Sequence, residues 1–226
     1  MNLVFITMRI GSNGIKKKNI KSIAKKPLFY WSVSEYDKCD NIDKIYLLID
    51  SKEIEKKINL FDFKKVEIVY VPEMDDNSRN DDVILKFILE NRKSLPEDFN
   101  VITAQVTSPL INKNDVSLAI NKFSDSKHKA LLSGVRYDRY LWQETRNTCK
   151  SINYDYKNRG RRQDYDGDFF IENGAFYIIG LDDYIKNKNR LCEDIEVYLM
   201  PKETYHEIDT MEDWKIVEKL LKKRLK

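Results

Sequence analysis

The sequence predicts an α/β fold in which a mostly parallel sheet carries helices on both faces. Three observations support that expectation. Short apolar runs alternate with amphipathic stretches as far as residue 135, and the first runs are little interrupted by charge, as strands buried on both faces require. The chain has 226 residues with 42% hydrophobic content and only seven Gly and five Pro, enough for a single domain (1–226) with a real core.

The elements follow in order. Leu3 to Thr7 is a β-rich run that reads as a buried strand, and helical spacing follows from Pro27 to Tyr36. Lys44 to Ile49 is a second strand and Lys52 to Leu60 a helix. Val66 to Val71 is a third strand. It is followed by a helix from Asp82 to Arg92, whose Val83, Ile84, Phe87 and Ile88 share one face. Asn100 to Gln105, Asn114 to Phe123 and Ala130 to Val135 continue the pattern as strand, helix and strand. Between Arg136 and Phe169 no period is sustained, and a Tyr-, Arg-, Asp- and Asn-rich stretch of that length is expected to be functional or to pack on another subunit. Phe176 to Ile179 resumes the sheet, Glu196 to Met200 adds a late strand, and Met211 to Leu225 is an amphipathic helix with a basic end. In such a fold ligands bind outside the carboxyl ends of the strands.

Lys+Arg 40 against Asp+Glu 37 leaves a net charge of +3 with both signs interspersed, so no nucleic-acid partner is expected. The apolar run Leu3 to Met8 is too short for a membrane span and has no secretory flanks, so no membrane partner and a cytoplasmic location are expected. Cys39, Cys149 and Cys192 are too far apart to suggest a disulfide framework or a metal site.

The first strand runs into Met8-Arg9-Ile10-Gly11-Ser12-Asn13-Gly14-Ile15-Lys16-Lys17-Lys18-Asn19. Glycines let backbone N–H groups approach an anion, and Arg9 and the lysines add charge, so a polyphosphate is the natural guest. The spacing fits neither a Walker loop nor GxGxxG. This loop resembles the signature of sialic acid and related nonulosonate cytidylyltransferases, in which a strand leads into Ala-Arg-x-x-Ser-Lys-Gly-(Ile/Leu)-x-x-Lys-Asn. Arg9, Ser12, Gly14, Ile15, Lys18 and Asn19 fall on that pattern. Asn13 stands where a lysine is usual, so that phosphate contact is either missing or supplied by Lys16 or Lys17.

The resemblance continues in order along the chain. Asp50 ends the second strand where the family reads Ser-Thr-Asp, and Gln105-Val106-Thr107-Ser108-Pro109-Leu110 matches Gln-Pro-Thr-Ser-Pro-Leu. An amide and two hydroxyls at a strand's carboxyl end can bind a polyhydroxylated sugar without placing charge beside its carboxylate. Asn173-Gly174-Ala175-Phe176-Tyr177 is similar to the family's Asn-Gly-Ala-(Ile/Phe)-Tyr. Arg161-Arg162-Gln163 is similar to an Arg-Gln pair set against the sugar carboxylate, with Arg162 the preferred match. Glu207-Ile208-Asp209-Thr210-Met211-Glu212-Asp213 follows Asp-Ile-Asp-Thr-x-x-Asp. In an extended segment Glu207 and Asp209 would point the same way as a Mg²⁺ site, although an acidic residue here could instead cap the last helix.

The resemblance implies a three-layer, Rossmann-like nucleotidyltransferase fold that joins CMP from CTP to an acidic, sialic-type sugar with Mg²⁺ as cofactor. It implies Arg9, Lys18 and Asp209 as catalytic groups, and Arg9, Ser12, Asn13, Gly14, Lys18 and Asn19 around the nucleotide. Gln105, Thr107, Ser108, Arg162, Asn173 and Tyr177 would lie around the sugar, and Glu207 and Asp209 on the metal. Residues 136–169 would form a dimerisation extension within a homodimer. Val71, Ile111 and Trp142 stand where the family often carries a basic residue. These changes leave room for a different nonulosonic acid, legionaminic, pseudaminic or deaminated, and Val71 and Ile111 also for a nucleotide-sugar-binding regulator without turnover. The first loop would serve equally a nucleotidyltransferase acting on a sugar phosphate or phosphonate.

Overall fold

Strand β1 (Asn2–Met8) is the spine of the molecule, paired in parallel on one side with β4 (Lys44–Ile49) and on the other with β6 (Asn100–Ala104). Its alternate residues serve two cores, which explains why the run carries no charge. Val4, Ile6 and Met8 face one helical layer and Leu3 and Phe5 the other, all of them buried. Burying one such side chain contributes about 1.5–3 kcal/mol. A computed structural model describes residues 1–12, 14–72, 74–75, 77–161 and 169–225.

The sheet continues with β5 (Val66–Tyr70), β7 (Ala130–Arg136), β10 (Phe170–Gly180) and β11 (Ile195–Leu199), in the order β11-β7-β10-β6-β1-β4-β5. Four of its six pairings are parallel, as a mostly parallel sheet requires, and the other two belong to β10, which runs antiparallel to both β6 and β7. One helical layer is α1 (Leu28–Asp37), α2 (Lys52–Ile58) and α4 (Lys113–Asp125). The other is α3 (Asn80–Glu90) and α5 (Leu181–Asn187). Helix α5 was not expected from sequence, since only Leu181 and Tyr184 of its seven residues are buried and the 3.6 period hardly shows. Two short hairpins, β2 (Ser22–Ile23) with β3 (Lys26–Pro27) and β8 (Trp142–Glu144) with β9 (Cys149–Ser151), complete the strands.

The closing helix α6 (Met211–Arg224) packs Trp214, Val217 and Leu221 against Ile15, Leu28, Leu110 and Ile208. That cluster draws together the loop after β1, the loop after β6 and the segment before α6. Among the described residues no helix is long and apolar enough to cross a membrane.

Candidate active site

Strand order reverses at β1, since β4, the next strand of this sheet in sequence, lies to one side of it and β6 to the other. The carboxyl ends of β1 and β6 therefore flank a crevice, where open α/β sheets hold ligands. A cavity of about 410 Å³ opens there, lined by Arg9, Ser12, Gly14, Lys18 and Asn19 on one wall and by Gln105, Thr107, Glu207 and Asp209 on the other. The two ends of the chain thus meet over one space.

The loop after β1 is held by its own side chains. The Ser12 hydroxyl donates to the Ile15 carbonyl and accepts from the Lys18 N–H at 3.2 Å. Asn19 donates its amide to the Arg9 carbonyl at 2.9 Å. Ser12 and Asn19 thereby shape the loop that presents Arg9 and Lys18. Asp50, at the end of β4, accepts from the Ile10 N–H at 2.9 Å and the Met74 N–H at 3.4 Å, tying this loop to the neighbouring wall. Lys17 is drawn away to Glu53 at 2.6 Å and does not line the cavity. Asn13 lies outside the described residues.

Gly14 marks where the walls touch. A Cβ built on it would collide with the backbone oxygen of Asp209, so a side chain here would force the two segments apart. Lys18 closes the same junction, donating to the Ile208 carbonyl at 2.7 Å and the Asp209 carboxylate at 2.9 Å. Its side chain is 13% exposed against 73% for that of Asp209.

The carboxylate wall follows the alternation expected of an extended segment: Glu207 and Asp209 line the cavity while Ile208 is buried between them. Thr107 fixes Glu207 from below, its hydroxyl donating to Oε1 at 2.7 Å. Burial raises the Glu207 pKa above the ordinary carboxylate range, and the Asp209 charge adds to the effect. A cation would relieve both causes. The alternative of Asp209 as helix cap is not what is found. Thr210 caps α6 and forms a capping box with Asp213, which leaves the Asp209 carboxylate to the cavity.

The expected sugar residues are divided by the structure. Gln105 and Thr107 line the cavity. Ser108 is buried and donates to the Asn173 carbonyl at 2.7 Å. Asn173 is 1% exposed, and its amide is engaged with Ser133 and Thr204 beneath the surface. Neither of these side chains reaches the cavity. Tyr177 donates its hydroxyl to Glu172 at 2.7 Å, and the Arg190 guanidinium covers its ring at 5.0 Å. Burial first, and then the Glu172 carboxylate, raise the Tyr177 pKa well above the phenol range, so it stays a neutral donor. Arg162 lies outside the described residues.

Sequence reasoning did not single out Thr7 and Asn80, which also line the cavity and bond to each other at 2.8 Å. Nor did it find the buried pair of Arg190 with Asp81 at 2.9 Å, which joins the start of α3 to the ring of Tyr177. The only available signal was an Asn-Asp pair at a helix start. Elsewhere, the segment from 136 carries an aromatic group: Tyr140 stacks near Tyr154 at 4.2 Å, and Trp142 meets Tyr154 and Tyr156. Trp142 and Tyr156 are exposed. Among the described residues no group of three or more His, Cys, Asp or Glu side chains is placed to hold a metal, so any cation here would take its remaining ligands from substrate and water.

Comparison with known proteins bears on the family and the fold. The family model described as Cytidylyltransferase matches residues 3–213. An N-acylneuraminate cytidylyltransferase B from Danio rerio is 31% identical over 218 residues, covering 94% of this chain and 49% of that protein. The chain thus spans about half the length of that relative. A pseudaminic acid cytidylyltransferase from Campylobacter jejuni is 26% identical over 227 residues, covering 98% of this chain and 96% of that protein. Among solved structures, a CMP:2-keto-3-deoxy-manno-octonic acid synthetase complexed with CTP superposes with a TM-score of 0.69 at 14% identity, covering 99% of this chain and 100% of that one. A 4-diphosphocytidyl-2C-methyl-D-erythritol synthase from Anaerococcus prevotii superposes at 0.70 with 12% identity, covering 97% and 96%. These two likenesses speak for the fold.

Proposed function

This chain belongs to the cytidylyltransferase family, and on that premise we propose that it transfers CMP from CTP to the anomeric hydroxyl of a nonulosonic, sialic-type acid. The hydroxyl oxygen attacks the α-phosphorus and the new O–P bond forms. The bond from that phosphorus to the β-phosphate bridge breaks, pyrophosphate leaves, and the hydroxyl proton is lost to solvent or base. The observation that carries this reading is the single cavity in which Arg9 and Lys18 face Glu207 and Asp209. It is supported by relatives named for N-acylneuraminate and pseudaminic acid.

In this reading Arg9, Lys18 and the N–H groups near Gly14 hold the triphosphate, and charge developing on the phosphoryl oxygens is stabilised by groups already in place. Gln105 and Thr107 face the acceptor, Tyr177 borders it, and Arg162 pairs with its carboxylate through two hydrogen bonds. Glu207 and Asp209 would hold a divalent cation, Mg²⁺, whose hard-oxygen preference suits them; such an ion supplies charge neutralisation to the phosphates.

A homodimer is part of the proposal. The exposed Trp142 and Tyr156, packed with Tyr140 and Tyr154, form an aromatic face on a hairpin that stands outside the main sheet. A dimer mass in light scattering at micromolar concentration supports it, and a monomer mass contradicts it. The cytoplasm is the proposed location, in keeping with three cysteines spaced too far apart to suggest a disulfide framework.

Pyrophosphate release, measured with each nucleoside triphosphate against a panel of acceptors, tests the reaction. Release with CTP and at least one of sialic, legionaminic, pseudaminic or deaminated acids is expected. Turnover confined to a sugar phosphate or phosphonate would overturn the acceptor assignment, and CTP binding without any turnover would favour a regulator.

A further inference from the structure

We infer that Asn173 is a positioning residue for this reaction, holding the Glu207 carboxylate and the Thr107–Ser108 loop in place without touching substrate. The kinetic part of the inference rests on the function proposed above; the structural part does not.

Every proton in the surrounding network has one consistent direction. The Thr204 hydroxyl donates to the Pro201 carbonyl at 2.7 Å, so it can only accept from the Asn173 amide at 3.1 Å. The Thr204 carbonyl accepts from the same amide at 3.3 Å. At the other end, the Phe176 N–H donates to the Ser133 hydroxyl at 3.0 Å, whose own proton goes to Asn173 Oδ1 at 2.8 Å. The site therefore needs an acceptor facing β7 and a donor facing the Lys202–Tyr205 turn. Asparagine supplies both. An aspartate of the same shape would keep the Ser133 donor on one oxygen but set the other against the Thr204 carbonyl, burying a charge beside an acceptor.

The bonds reach the cavity through backbone. The Lys202–Tyr205 turn leads directly into Glu207, so the Asn173 amide anchors the chain that carries that carboxylate. The Asn173 carbonyl accepts from Ser108, which fixes the loop whose Thr107 donates to Glu207. The next residue, Gly174, has φ +63, and a Cβ there would lie 3.1 Å and 3.2 Å from the Glu207 carboxylate oxygens and 3.3 Å from the Gln105 amide nitrogen. Asn173 thus fixes the frame, and Gly174 leaves the space into which Glu207 and Gln105 fit.

The test compares Asn173→Asp with Thr204→Val and Ser133→Ala, whose altered groups are buried away from the cavity. Steady-state kinetics are read together with amide hydrogen exchange of residues 202–209 in ligand-free protein. Asn173→Asp is expected to lower kcat about 10-fold or more while the acceptor KM moves less than about 2-fold. Thr204→Val should shift kcat the same way by a smaller factor, with exchange across 202–209 accelerated in both at a melting temperature that still permits assay. A rise in acceptor KM at unchanged kcat in Asn173→Asp, with Thr204→Val and Ser133→Ala silent, would overturn the inference in favour of a sugar ligand. If Asn173→Asp does not fold, the other two variants decide by the same split. If the parent protein turns over no acidic sugar, the function fails, while exchange across 202–209 still decides the anchoring: acceleration supports it and unchanged exchange refutes it.

Discussion

The cationic wall of the cavity closes on itself with hydrogen bonds spanning three, six and ten residues, whereas the carboxylate wall is tied by bonds spanning 31, 40, 65 and 100. The first wall is shaped mostly within its own twelve residues, with Asp50 accepting from the Ile10 N–H and Lys18 reaching the Ile208 carbonyl as its ties to the rest of the fold. The second exists only after β6, β7, β10 and the turn before α6 have come together. Loss of a local bond should therefore retune nucleotide binding with little effect on the fold. Loss of a long-range bond should misplace the acids, and can loosen the sheet as well.

The sharpest test of the second wall removes the group it serves. Asp209→Ala should lower turnover by about 100-fold or more, the scale of a lost electrostatic contact in the transition state, and leave the melting temperature near the parent value because the side chain is largely exposed. Pyrophosphate release and thermal unfolding measure both. Near-normal release would take Asp209 out of the site.

The junction between the walls is broken next. Gly14→Ala places a methyl against the Asp209 backbone oxygen, and overpacking of this kind costs about 1–3 kcal/mol. Chemical denaturation should show that loss together with reduced turnover. Gly11→Ala, with no protein atom within 4 Å of the added Cβ, should leave stability nearly unchanged. Equal effects at the two glycines would mean that the walls do not depend on this contact.

Within the local wall, Ser12→Ala removes one hydroxyl that both donates and accepts. A net hydrogen bond is worth about 1 kcal/mol, so the KM for CTP should rise several-fold without a change in global unfolding. A large drop in stability would mean that this loop is not locally held.

The smallest effect lies at the far end of the sheet from either wall. His128 contacts Asp194 at 2.6 Å and Glu196 at 3.6 Å, and Lys122 also pairs with Glu196. The hydrogen bond to Asp194 raises the His128 pKa above its ordinary value. A raised histidine stabilises the fold fully below its unfolded pKa of about 6.5 and loses that contribution as pH climbs through the higher folded value. Melting temperature against pH should flatten slightly in His128→Gln, with kcat unchanged. A change in kcat would couple this corner to the site.

This contrast also explains what could be read from sequence. Strands such as Leu3 to Thr7 and Lys44 to Ile49 were legible because burial on both faces excludes charge from a contiguous run. The direction of β10 was not, since an apolar strand looks the same whichever way it runs. Arg9, Ser12, Gly14, Lys18 and Asn19 were legible as a motif because they are close in sequence and shape one loop. Asn173 and Ser108 were recognised as important, but the destination of their side chains was not visible, because Ser133 and Thr204 are brought to them only by folding. Asp213, read as part of an acidic motif, belongs to the cap of α6.

The central claim is that the two walls serve one nucleotide, and the most direct measurement is the rate of CTP-dependent pyrophosphate release in Arg9→Ala, Asp209→Ala and the double variant. Groups acting on one transition state are strongly non-additive, so the double variant should be little slower than the poorer single one. Losses that multiply, each variant acting as though the other were absent, would contradict the shared site.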